Sequence, residues 1–141
     1  MGKKGLEKLM LLVLSVLLVI GVGLTGGCVQ AQIIEDITPQ EAFTLIQNNQ
    51  NNPDFVIIDV RTPEEFAAEH IENAINIDFY SEAFRGELDT LDKNKTYLIY
   101  CQVGGRSGSA LDIMAELNFK EVYNLSGGIN QWKTEGFPTV K

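Results

Sequence analysis

Short apolar segments alternate with amphipathic or polar stretches over most of this sequence. The segments at 55–60 and 96–100 are rich in β-branched and aromatic residues, which predicts strands buried on both faces of a sheet. Two shorter segments, 74–77 and 122–124, are predicted as further strands. Because helical patterns separate the strands, we expect an α/β fold with a central parallel sheet of about five strands and helices on both faces.

Two related tetrapeptides mark the starts of helices. Residues 38–41 (Thr-Pro-Gln-Glu) and 62–65 (Thr-Pro-Glu-Glu) each form a capping box, with proline at the first helical position. The second helix is expected to end near His70, and its acidic side chains are interpreted as a solvated face: Glu64, Glu65 and Glu69. Three more helices are predicted, at 80–91, 107–117 and 127–133.

The strongest candidate for chemistry is Cys101, which directly follows the predicted strand at 96–100. A cysteine at a strand-to-helix turn faces backbone N–H groups and the positive end of the helix dipole, which favours the nucleophilic thiolate. Most cysteines simply fill a core, but a cysteine that only packs needs no glycine-rich turn behind it. The following residues therefore predict an anion-binding loop around a reactive sulfur: Gln102, Val103, Gly104, Gly105, Arg106 and Ser107.

The N-terminal segment has the composition of an export signal. Three lysines (Lys3, Lys4 and Lys8) precede an apolar run at 9–20 that only Ser15 interrupts. An uncleaved anchor helix is the alternative, although the apolar stretch is somewhat short of the ~20 residues that span a bilayer. Residues 1–27 are thus predicted to be a signal peptide or membrane anchor, which would place the domain outside the cytoplasm in a periplasmic or membrane-tethered form.

Cys28 is a candidate lipidation site. Residues 24–28 (Leu-Thr-Gly-Gly-Cys) resemble a bacterial lipobox, whereas residues 29–31 offer an ordinary signal-peptidase site. A disulfide between Cys28 and Cys101 is disfavoured, because it would join an N-terminal tail to a recessed loop. The predicted organisation is a signal or anchor at 1–27, a linker at 28–35 and a single domain at 36–141.

The charge of the chain makes some classes of binding partner unfavourable. The formal net charge is −8 at pH 7, which disfavours binding to nucleic acid or anionic lipid. About 110 residues follow the signal segment, enough for one hydrophobic core. No metal site or cofactor is predicted.

Several motifs in order resemble the rhodanese-like domain, the family of single-domain sulfurtransferases. They lie at 59–66 (DVRTPEEF), 70–71 (HI), 74–77 (AINI), 101–107 (CQVGGRS), 122–129 (VYNLSGGI), Trp132 and 136–138 (GFP). The resemblance covers about residues 35–141.

This resemblance implies a mechanism through a persulfide on Cys101. A sulfur donor such as thiosulfate would load the cysteine, the loop N–H groups would hold the sulfur, and a thiol or cyanide would remove it. Asp59 and Arg61 correspond to framework residues at a neighbouring strand end, and His70 corresponds to a residue that shapes a turn. No cofactor is implied, and we expect a monomer.

Two alternatives stay open. Cysteine phosphatases related to this fold have five residues between cysteine and arginine, whereas four separate Cys101 from Arg106, so the smaller loop suits a sulfur atom better. A non-catalytic binding module is the other alternative, although such domains often lack the cysteine. Because Arg106 is the only cation in an otherwise uncharged loop, weak use of the thiosulfate dianion is expected.

Overall fold

A computed structural model describes residues 31–141 of the chain. Five strands form one sheet in the order β1-β5-β4-β2-β3, and every neighbouring pair is parallel. The strands are β1 (Ile33–Ile37), β2 (Phe55–Asp59), β3 (Ile75–Asn76), β4 (Thr96–Tyr100) and β5 (Glu121–Leu125). The helices are α1 (Pro39–Asn48), α2 (Pro63–Ala68), α3 (Phe84–Asp89), α4 (Gly105–Glu116) and α5 (Gly128–Thr134). The predicted α/β architecture with a parallel sheet is confirmed.

Strand β4 lies at the centre of the sheet, and this position explains why its residues are apolar. Its side chains alternate between two cores: Tyr97 and Ile99 pack toward α3 and α4, whereas Leu98 and Tyr100 pack toward α1 and α5. All four are at most 1% exposed. Burial on both faces is the reason that the segment carries no polar alternation.

Both predicted capping boxes are present. The Thr38 hydroxyl accepts the Glu41 N–H, and the Glu41 carboxylate accepts the Thr38 N–H. Thr62 and Glu65 make the same reciprocal pair at the start of α2. Each box satisfies two N–H groups that have no partner inside the helix, which fixes where α1 and α2 begin.

The first strand was not predicted, and the boundary of the linker at 28–35 is wrong. Strand β1 pairs with β5 residue by residue, from Ile33 with Glu121 to Ile37 with Leu125, so the folded domain begins at least three residues before residue 36. As an edge strand, β1 carries exposed charged side chains at 35 and 36, and these hide the strand signal in the sequence.

Two helices also have bounds that differ from the prediction. Helix α4 begins at Gly105 rather than near Ser107, and α3 covers 84–89 rather than 80–91. The residues at 80–83 instead form turns in which Asp78 and Ser81 accept backbone N–H groups.

The predicted signal segment and Cys28 lie outside the described residues. Within 31–141, no helix is long and apolar enough to cross a membrane.

Candidate active site

Cys101 lies at the carboxyl end of β4, directly before the turn into α4. Its Sγ accepts the backbone N–H of Gly104 at 3.1 Å and the hydroxyl of Ser107 at 3.3 Å. Cys101 is 1% exposed and Ser107 is fully buried. The sulfur is therefore enclosed by its own loop and by the first turn of α4.

This environment changes the acidity of the thiol. Burial by itself raises the pKa of Cys101, but the Ser107 hydroxyl and the backbone N–H groups of Ser107, Gly104 and Val103 outweigh it, so the net pKa is lowered. Hydrogen bonds to the charged form of a group favour that form. The hydrogen bonds of the loop thus stabilise a thiolate, and the Arg106 guanidinium attracts it electrostatically.

Helix α5 holds the outer side of the loop. The N–H of Ile129 donates to the Cys101 carbonyl at 2.9 Å, and the N–H of Asn130 donates to the Gln102 carbonyl at 3.1 Å. In a trans peptide the C=O and the next N–H point in opposite directions. Because α5 draws both carbonyls outward, the N–H groups of residues 102 and 103 are turned toward the inside of the loop.

Two glycines make this close approach feasible. Gly104 has φ +108° at the turn itself, a conformation that other residues rarely adopt. Gly128, with φ +60°, lies so close to the loop that a Cβ there would be 2.5 Å from the Cys101 carbonyl oxygen. A side chain at residue 128 would push α5 away from the loop.

Asp59 and Arg61 form a buried ion pair next to the loop. The Arg61 guanidinium donates to both Asp59 oxygens, at 3.1 and 2.7 Å, and the side chains are 2% and 0% exposed. Arg61 Nη1 also donates to Gln102 Oε1 at 3.2 Å, and Gln102 Nε2 donates to Asn130 Oδ1. The Gln102 side chain therefore joins the end of β2 to α5.

Arg106 is not a free cation. Its Nη1 and Nη2 donate to the two carboxylate oxygens of Glu65 at 2.8 and 2.9 Å, and its guanidinium lies 5.5 Å from the centre of the Tyr80 ring. Glu65 was predicted to lie on a solvated face; that prediction is wrong, because α2 turns this side chain toward Arg106. The Arg106 hydrogen bonds and the Thr62 N–H lower the pKa of Glu65 to about 2.

The rim of the loop carries two large exposed hydrophobic side chains. Tyr80 is 68% exposed and Val103 is 65% exposed, and both flank the residues that enclose the sulfur. Among residues 31–141, no hydrogen bond joins His70 to Cys101: the His70 ring stacks on Phe66 at 3.9 Å, and its Nδ1 lies 2.9 Å from the Phe66 carbonyl oxygen. Glu69, also predicted on a solvated face, instead pairs with Lys133.

With this geometry established, comparison with known proteins identifies the family. Residues 39–135 match the family described as Rhodanese-like domain. The chain belongs to the rhodanese-like domain family. The rhodanese-related protein from Thermoplasma volcanium has a similar structure, with a TM-score of 0.63 and 28% identity over 75% of this chain and 97% of that one.

Several curated relatives carry sulfurtransferase names. Thiosulfate sulfurtransferase GlpE of Coxiella burnetii is 36% identical over 104 residues, which is 70% of this chain and 87% of the relative. Thiosulfate sulfurtransferase PspE of Escherichia coli K12 is 40% identical over 84 residues, which is 60% of this chain and 77% of the relative. The chain spans 47% of a third relative, uncharacterized protein slr1261 of Synechocystis, with 37% identity over 86 residues. These matches support a sulfurtransferase family.

The structure of this rhodanese-like domain brings the predicted site residues together. Cys101, its loop, Asp59 and Arg61 form one connected network at one edge of the sheet; their functional roles stay predictions. Sequence reasoning missed Glu65 and Asn130, because both reach the loop from other elements. Their only sequence signals are a second glutamate in the capping box and a position just after Gly127-Gly128.

Proposed function

We propose that this domain transfers a sulfane sulfur through a persulfide on Cys101. The Cys101 thiolate attacks the outer sulfur of a donor such as thiosulfate. The S–S bond of the donor breaks, sulfite leaves with the electron pair, and Cys101 becomes a persulfide anion. Attack of cyanide on the outer sulfur then releases thiocyanate and restores the thiolate, so that atoms and charge balance in both steps.

One observation carries this proposal: the buried Sγ accepts hydrogen bonds from Gly104 and Ser107 at the first turn of α4. A thiolate is the nucleophilic form of cysteine, and an electropositive environment generates it. The same inward N–H groups can hold the negative charge that moves to the outer sulfur of a persulfide.

We assign no general base to this reaction. Since the His70 ring is engaged by Phe66, we propose that it shapes the turn after α2 and that the loop hydrogen bonds, rather than a histidine base, lower the pKa of Cys101. Asp59 and Arg61 serve as framework, because the Arg61 guanidinium holds the Gln102 side chain.

Intact-mass spectrometry tests the proposal directly. The full-length chain carrying Cys28→Ser, purified in a non-ionic detergent, retains Cys101 as its single cysteine. Incubation with thiosulfate should add one sulfur atom to the protein, and cyanide should remove it. Cys101→Ser should abolish both steps, whereas His70→Ala should retain a substantial rate.

Two other outcomes would replace the proposal. If no donor adds mass but an aryl phosphate is hydrolysed, the domain is a phosphatase. If neither reaction occurs with folded, reduced Cys101, the domain is a binding module.

We also propose that residues 1–27 export the domain, that Cys28 anchors it to a membrane as a lipoprotein, and that the domain acts as a monomer. The lysines before the apolar run at 9–20 and the lipobox-like residues 24–28 support the export and the anchor.

A further inference from the structure

The two capping boxes have the same sequence pattern but different surroundings. In α1, the Glu41 carboxylate accepts the N–H and the hydroxyl of Thr38, both at 2.8 Å. In α2, Glu65 accepts the Thr62 N–H at 2.9 Å and also receives both Nη groups of Arg106. Because α1 is capped without an arginine, capping does not account for the pair between Glu65 and Arg106.

This pair lies at the opening of the loop at 101–107, which we call the mouth. Arg106 directly precedes Ser107, whose hydroxyl contacts Sγ, and its guanidinium is placed between Glu65 and the Tyr80 ring. The side chains of Arg106 and Glu65 are 18% and 32% exposed, so an approaching donor meets both charges. With its pKa at about 2, Glu65 stays ionised throughout the neutral range.

The consequence is that, apart from the Cys101 thiolate, Glu65 and Arg106 leave the mouth without net charge. The loop at 101–107 contains no other lysine or arginine, and the large exposed hydrophobic side chains beside it are Tyr80 and Val103. An inorganic dianion gains little from a neutralised guanidinium, whereas a donor with one charge and an apolar group can pack on the exposed tyrosine and valine.

We propose that Glu65 determines donor specificity: by neutralising Arg106 it favours organic sulfur donors with a single negative charge over the thiosulfate dianion. This inference rests on the proposed sulfur transfer. With an arylthiosulfonate, the Cys101 thiolate attacks the outer sulfur, the S–S bond breaks, and the arylsulfinate leaves with the electron pair. The products are the Cys101 persulfide anion and a monoanionic sulfinate, so atoms and charge balance.

Four variants of the full-length Cys28→Ser chain test how the charges near the mouth affect the use of each donor. Glu65→Gln leaves Arg106 unpaired, Arg106→Gln leaves Glu65 unpaired, and the double variant restores neutrality. Glu64→Gln, one position away on α2 and exposed, removes one charge without touching Arg106. For each variant, kcat/KM is measured with thiosulfate and with benzenethiosulfonate, at fixed ionic strength and with cyanide as acceptor.

The Coulomb energy scales with the charge of the donor. For Glu65→Gln, kcat/KM should therefore rise about tenfold with thiosulfate but only about threefold with benzenethiosulfonate. Arg106→Gln should lower kcat/KM about tenfold with thiosulfate but only about threefold with benzenethiosulfonate, and the double variant should return toward the parent. Glu64→Gln should match the parent with both donors.

Three results would count against these ideas, and they are distinguishable. If Arg106→Gln and the double variant are equally impaired, Arg106 itself binds the donor and Glu65 does not set specificity. If both donors change by the same factor in Glu65→Gln, the effect is structural and the inference is wrong. If the parent forms a persulfide with neither donor, sulfur transfer itself is refuted. Urea unfolding of each variant verifies that the loss of a cap contact has not unfolded α2.

Discussion

The hydroxyl of Ser107 offers a quantitative test of how the thiolate is stabilised. In Ser107→Ala, the Sγ of Cys101 loses the donor at 3.3 Å but keeps the backbone N–H of Gly104 at 3.1 Å. Because the hydroxyl lowers the pKa of Cys101, its removal must raise that pKa. The variant should therefore need a more alkaline pH to form the thiolate.

The size of this effect follows from the geometry. Hydrogen bonds to charged groups contribute about 1.5–3 kcal/mol, and one pKa unit corresponds to about 1.4 kcal/mol. The Ser107 hydroxyl also lies 3.4 Å from the Gly104 carbonyl oxygen, so its single proton divides between two acceptors. We therefore expect the lower end of the range, a rise in the pKa of Cys101 of about one unit.

The rate of alkylation by iodoacetamide as a function of pH measures this pKa, with Cys28→Ser as the parent. Ser107→Ala should shift the midpoint upward by about one unit. Its alkaline plateau should rise about threefold, because a thiolate of higher pKa is intrinsically more nucleophilic. Below the midpoint the same variant should react more slowly than the parent.

Opposite changes on the two sides of the midpoint separate this mechanism from a general loss of structure. Ser109→Ala is the matched control, since Ser109 lies on the same helix and is exposed; its profile should coincide with the parent. A midpoint that stays in place or moves to lower pH in Ser107→Ala would refute the assigned role of the hydroxyl.

Two further predictions concern the loop support and the N-terminal segment. Gly128→Ala should destabilise the domain by more than about 2 kcal/mol in urea unfolding, because its Cβ would overlap the Cys101 carbonyl. Gly108→Ala, at a helical position with nothing within 4 Å, should instead stabilise by about 0.5–1 kcal/mol; equal effects would argue against steric contact at residue 128. Cys28→Ser should release the chain from the membrane fraction, and unchanged membrane association would favour an uncleaved helix over a lipid anchor.

The parts of the fold that could be predicted are those encoded locally. The capping boxes at 38–41 and 62–65 place the starts of two helices because they satisfy N–H groups within four residues. The run at 96–100 signals a central strand because both of its faces are buried. Strand β1 could not be recognised, since only its pairing with β5 makes an exposed, partly charged segment extended.

The candidate site likewise has features that are encoded locally and contacts that depend on how distant elements pack. The position of Cys101, the turn at Gly104 and the helix that follows are local, and they could be placed from the sequence. The contact between Glu65 and Arg106 spans 41 residues, and its formation depends on how α2 packs beside the loop. The two carbonyl contacts from α5 depend in turn on Gly128 fitting against the loop.

The buried pair of Asp59 and Arg61 is better explained by positioning than by stability. Desolvation of two charges offsets much of their attraction, so a buried ion pair is weak evidence for stabilisation. Here the guanidinium donates to three groups: the Asp59 carboxylate, the Glu69 carbonyl and the Gln102 side chain. An apolar pair of equal volume could fill the space but could not hold Gln102. Since α5 draws the Gln102 carbonyl outward at the same time, the peptide that follows Cys101 is fixed from two sides before any donor arrives.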